Sequence, residues 1–86
     1  MDAADCIKSF KELARRLGIE IRYTGGVPSG LCTVKGKKVL FIDKNLDREA
    51  VLEVFVRDFR KLDLDGSYMV PAIRRLVSGE DDDKEW

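Results

Sequence analysis

The apolar positions along the chain pass from helical spacing to strand alternation and back to helical spacing. Between Ala3 and Leu17, Cys6, Phe10, Leu13 and Leu17 recur at spacings of 4, 3 and 4, with Ile7 and Ala14 beside them. That is one stripe of a helix, with Lys8, Lys11, Glu12, Arg15 and Arg16 off it. Asp2 or Asp5 can cap its first amides, and Gly18 follows the basic pair Arg15–Arg16 as a stop signal. Residues 19–23, Ile-Glu-Ile-Arg-Tyr, alternate strictly and read as a strand with one buried face. Residues 24–30 hold three glycines and a proline and read as a loop.

Two further strands are expected at 31–35 and 38–43. A type II′ turn at Gly36-Lys37 would join them, because glycine leads that turn. This register sets Val34 opposite Val39 and Cys32 opposite Phe41 on one face. Leu31, Thr33, Leu40 and Ile42 take the other. The third strand is apolar on both sides, so it is expected to be central or covered twice.

Asp47 is an N-cap candidate for a helix over 48–61, with Leu46 and Val51 at staple positions. Its stripe is Val51, Leu52, Phe55, Phe59 and Leu62, broadened by Val54 and Val56. Residues 63–67 read as a turn. A shorter helix over 70–78 carries Pro71 in its first turn, where a missing amide costs little. Residues 79–86 read as a disordered acidic tail. The prediction is a single α+β domain over 1–78, ordered αβββαα. Short connections between neighbouring strands imply a mostly antiparallel sheet.

Composition narrows the chemistry. The chain has 86 residues, 44% of them hydrophobic, enough for a packed core in one small domain. It has no histidine, which removes imidazole catalysis and most zinc sites. Two cysteines 26 residues apart leave a zinc ion two ligands short. No metal and no cofactor are therefore expected. The acidic start of the chain lacks the features of a signal peptide, and no apolar run is long enough to span a membrane. The expected location is the cytoplasm, without membrane contact. Sixteen basic and sixteen acidic residues balance, and without residues 79–86 the rest carries +4. These charges are interleaved, so a solvated surface is expected over a nucleic-acid site.

Three motifs invite chemistry. The glycine loop 24–30 is followed by a strand and lacks a Gly-Lys-Ser/Thr sequence, so it does not match a phosphate cradle. Asp63-x-Asp65-Gly66 fails as a calcium loop because Lys61 and Ala72 stand where ligands are needed. Cys6 lies on the apolar stripe and reads as core filler. Cys32, just after the glycine loop, is the one candidate catalytic residue, as a reactive thiol. Sharing a face with Val34, Val39 and Phe41, and with Ile21 on the same side, it is expected to be a core side chain beyond the reach of Arg22.

The run Leu17 to Tyr23, then Gly30-Leu31-Cys32, Lys38 to Asp43 and a helix from Asp47 resembles the minimal zincin core of ImmA/IrrE-like bacterial metallopeptidases. The resemblance covers about residues 3–62. It implies a His-Glu-x-x-His helix, but here Val56 and Arg60 stand in place of the histidines and Arg57 in place of the glutamate. Valine has no donor atom, and arginine repels Zn²⁺. The resemblance thus implies a degenerate scaffold without its metal. Residues 29–32, Lys38 to Lys44 and Tyr68 to Leu76 also resemble a group of small uncharacterised bacterial proteins, which implies no site residues.

The expected function is a non-catalytic protein-interaction or regulatory module, a homo-oligomer or a binder of a protein partner. The expectation rests on a short chain with two apolar sheet faces. The alternatives are a thiol-dependent or peptide-handling enzyme centred on Cys32 and loop 24–30, and a weak nucleic-acid accessory.

Overall fold

A computed structural model describes residues 2–62, 64 and 66–78. The elements are α1 (Ala3–Leu17), β1 (Glu20–Thr24), β2 (Gly30–Val34), β3 (Lys37–Asp43), α2 (Arg48–Phe59) and α3 (Pro71–Ser78). The order is the expected αβββαα, and the domain is a small α+β fold. The 79–86 expectation lies outside the described residues, as do Asp63 and Asp65.

The signals at the helix ends act as their chemistry demands. Asp2 Oδ1 accepts from the Asp5 amide at 2.9 Å, and Asp47 Oδ1 from the Ala50 amide at 2.9 Å. Each satisfies a donor that the first turn leaves open. Gly18 sits at φ 76° and ends α1, with its amide turned back to the Ala14 and Arg15 carbonyls. The left-handed residue is the one a Cβ would penalise. α2 stops at Phe59, two residues before the expected end, because its last amides turn tightly: Lys61 to Asp58 O and Leu62 to Phe59 O.

The core forms where the two long helix stripes meet. Phe10, Phe55 and Phe59 are wholly buried. Phe10 stacks on Phe55 at 5.4 Å between centroids and meets Phe59 edge-on at 5.2 Å. Cys6, Leu13, Ala14, Val51, Val54, Met69 and Ile73 close around them. Cys6 is the core filler that its stripe implied.

The sheet departs from the expected topology in one pairing. Its order is β1-β3-β2, so β3 is central, as its two apolar faces require. β2 pairs antiparallel with β3, but β1 pairs parallel to it, with Ile21 beside Leu40 and Tyr23 beside Ile42. The glycine loop carries the chain past the central position, so β2 enters on the far edge. Lys44 N donates to Thr24 O at 2.9 Å and ties the ends of β1 and β3 together.

The hairpin turn is Lys35-Gly36, not Gly36-Lys37. Both residues have positive φ, 52° and 81°, the requirement of a type I′ turn. Its twist matches that of the strands it joins. Cys32 therefore opposes Val39, and Val34 opposes Lys37. The slip is two residues, so residues 31–34 and 38–43 keep their expected faces, while Lys35 leaves the strand for the turn.

The second correction concerns which face is the core. Leu40 and Ile42 are wholly buried beneath the helices, with Leu31 and Ile21 packed beside them. The opposite face carries Glu20, Arg22, Lys37, Phe41 and Cys32, with Val39 between them at 1% exposure. Cys32 is exposed, and Ile21 lies on the other side. Covering that face would strip water from three charged side chains, whereas the Leu31–Leu40–Ile42 face is polar only at the hairpin tip. Tyr23, expected to be buried with Ile19 and Ile21, is 46% exposed beneath the Lys11 ammonium.

Candidate functional site

Asp58 lies on the buried stripe of α2 and is only 2% exposed. Arg57 donates from Nη2 to Asp58 Oδ2 at 3.1 Å and from Nε to Oδ1 at 3.3 Å. Lys61 Nζ adds an ion pair at 3.5 Å. A buried carboxylate is tolerated when charged donors replace its water, as these do. The Asp58 hydrogen bond holds the Arg57 guanidinium above its ordinary pKa, with burial opposing and the carboxylate charge assisting. Arg57 Nη2 also donates to the Ser29 carbonyl at 2.9 Å. Ser29 Oγ accepts from the Asp43 amide at 2.9 Å. The chain from Asp58 through Arg57 to Ser29 thus anchors the glycine loop where it enters β2. A β-carbon at Gly30 would lie 3.8 Å from Arg57 Nη2 and 3.9 Å from Asp58 Oδ2, in ordinary contact.

Beyond this clamp lies an open groove of ≈ 920 Å³. Pro28 and Ser29 form its loop end, and Leu46, Ala50, Glu53, Val56, Arg57 and Arg60 its long wall. Leu76 of α3 closes the far side, where Arg60 Nε donates to the Leu76 carbonyl at 2.9 Å. The wall is mainly apolar, with one carboxylate and two guanidinium groups, a surface suited to a polypeptide segment. Val56, Arg57 and Arg60, the positions expected from the zincin resemblance to replace its signature, all line it. Their side chains offer no metal donor set. Among the described residues no three of His, Cys, Asp and Glu come together as a metal site.

Cys32, the candidate thiol, is on the open face of β2 in one row with Val39 and Glu20. Among the described residues no side-chain hydrogen bond or ion pair reaches its thiol. The groove takes Pro28 and Ser29 of loop 24–30 but not Cys32. Across the open face, Arg22 Nε bonds Glu20 Oε2, and Lys37 Nζ lies 3.8 Å from Glu20 Oε1. The Arg22 hydrogen bond holds the Glu20 carboxyl below its ordinary pKa, with desolvation opposing and the Arg22 and Lys37 charges assisting.

Sequence reasoning missed Asp58 and the groove. The signal for Asp58 was present: an acid three residues after Phe55 and seven after Val51, inside the stripe, with bases at 57 and 61. The groove wall was also legible as Ala50, Glu53, Arg57 and Arg60, spaced 3, 4 and 3. No helix among the described residues is long and apolar enough to cross a membrane. No protein family, curated protein or solved structure matches the chain.

Proposed function

We propose that the chain is a non-catalytic protein-interaction module of the bacterial cytoplasm, binding a polypeptide on the side formed by β2 and α2. The observation that carries this reading is the groove between loop 24–30, α2 and α3, apolar along its wall and charged at Glu53, Arg57 and Arg60. Such a wall gives contact area from Leu46, Val56 and Leu76, and orientation from the charges. The degenerate zincin reading fits the same place: the helix that would carry a metal carries Val56, Arg57 and Arg60 into a binding groove instead. The test is photo-cross-linking in the source cell from Thr33 or Glu53, with Lys8 as a control on α1. Adducts from the first two positions alone support the reading. Equal yields from all three positions, or none, overturn it.

The exposure of Cys32 favours one second reading, a thiol-dependent enzyme. Its mark would be alkylation of the native protein with an apparent pKa well below the ordinary ~8.5. The interaction reading expects accessible but ordinary thiol chemistry.

A further inference from the structure

We infer that β2 is the docking edge for a second copy of this chain, paired antiparallel about a two-fold axis at Cys32. The inference rests on the interaction reading above and names its partner. In the hairpin, Val34–Lys37 closes a two-residue turn, and Cys32–Val39 and Gly30–Phe41 follow it at alternate positions. Such pairs exchange hydrogen bonds in an antiparallel ladder, so the backbone groups of Leu31 and Thr33 point away from β3. Nothing among the described residues takes them. The edge also lacks the usual guards, since no charged residue and no proline lies between Gly30 and Val34. A row of unpaired amides and carbonyls fits another strand better than any other partner.

The self-pairing register follows from what the edge has free. Centring on Leu31 would set Thr33 against Ser29 of the partner strand, whose carbonyl already takes the Arg57 guanidinium. Centring on Thr33 would set Leu31 against Lys35, which is left-handed inside the turn. Centring on Cys32 sets Leu31 against Thr33 in both directions, and all four outward residues pair. The groove opens on the same side, since Pro28 and Ser29 lead directly into β2. Its wall carries both charge signs, Glu53 against Arg57, so that wall is complementary to its own two-fold image.

This register makes Cys32 a reporter. The two cysteines face each other as a non-hydrogen-bonded pair, with α-carbons about 4.5 Å apart, inside the range for a disulfide. Diamide would take two electrons and two protons from the two thiols and leave one S–S bond. The experiment compares cross-linking of the whole chain with that of a Cys32→Ser, Val34→Cys variant, alongside sedimentation equilibrium. Residue 34 would face residue 30 of the partner, so two such cysteines stand about 13 Å apart along the strand.

The expected result is a dimer whose Cys32 cross-link forms at least about tenfold faster than the cross-link at position 34. Cys6→Ser should leave the rate unchanged, and Thr33→Lys should abolish the preference. Thr33→Pro, which removes an outward amide only, provides a second variant should the lysine disturb folding. Equal rates at 32 and 34 in a dimer overturn the inference, because the copies then meet elsewhere. A monomer at high micromolar concentration also overturns it. In both cases adducts to another polypeptide from Glu53 would leave the interaction reading standing.

Discussion

β1 and β2 flank the same central strand, but β1 carries Glu20 and Arg22 along its edge whereas β2 has no charged residue between Gly30 and Val34. The β1 edge is further screened by Lys11 over Tyr23, and the Glu20 carboxylate draws Lys37 of β3 toward it. At β2, the side-chain polar contacts among the described residues sit at its start, where Arg57 holds the Ser29 carbonyl and Ser29 Oγ accepts from the Asp43 amide. A strand edge exposes the same backbone donors whatever its sequence, so side chains decide whether it recruits a partner. One edge is built to remain alone, and the other offers Leu31 and Thr33 for pairing.

The largest effect should come from a substitution that damages both edges alike. Phe55→Ala removes the ring that stacks on Phe10 beneath the sheet and is expected to cost about 3–5 kcal/mol. That is a large share of the roughly 4–13 kcal/mol available to a domain of this length. Urea unfolding measures it. Val34→Ala, on the open face at 38% exposure, should stay within ~0.5 kcal/mol in the same assay. Comparable losses from the two would contradict the assignment of the covered face.

Asp58→Asn separates the edges. It removes the charge that orients Arg57 toward Ser29, and a loss of about 1–3 kcal/mol is expected. Amide exchange should quicken around Ser29 and Gly30 before it does in β1. Uniform quickening would show that the clamp does not act locally.

Thr33→Lys gives β2 the protection that β1 has. Stability should change by no more than ~0.5 kcal/mol, while self-association is lost. A dimer unchanged by Thr33→Lys would break the contrast between the edges.

The smallest effect is at β1 and depends on pH. The folded Glu20 carboxyl lies below its unfolded value because Arg22 bonds its charged form. A depressed carboxylate contributes stability above the unfolded pKa, and that contribution fades as pH falls through the folded one. The window lies in the acid range, from the ordinary carboxylate value downward. Titration of the Glu20 carboxyl carbon by NMR should give a midpoint below that of an unpaired glutamate, and Arg22→Gln should raise it.

Local patterns carried much of this fold in the sequence. The α1 stripe with Gly18 fixed both the span and the face of that helix, because capping and periodicity act within a few residues. Alternation sorted residues 31–34 and 38–43 onto the correct two faces even though the turn was displaced, while Lys35 and Lys37 exchanged turn and strand. The parallel β1–β3 pairing was not legible, since it depends on where the glycine loop delivers β2. The core face was misassigned because Cys32, Val34, Val39 and Phe41 look as apolar as Leu31, Leu40 and Ile42. Only the register that lays Glu20, Arg22 and Lys37 beside the first set decides between them. The groove escaped notice because its parts come from residues 28–29, 46–60 and 76, which meet only in the folded chain.

The most direct measurement of the central claim is amide hydrogen exchange at Leu31 and Thr33, followed as the whole protein is diluted. The account predicts slow exchange at high concentration and a return to fast exchange on dilution, with the outward amides of β1 fast throughout. Exchange at Leu31 and Thr33 that is fast at every concentration would contradict the pairing of β2 with a second copy.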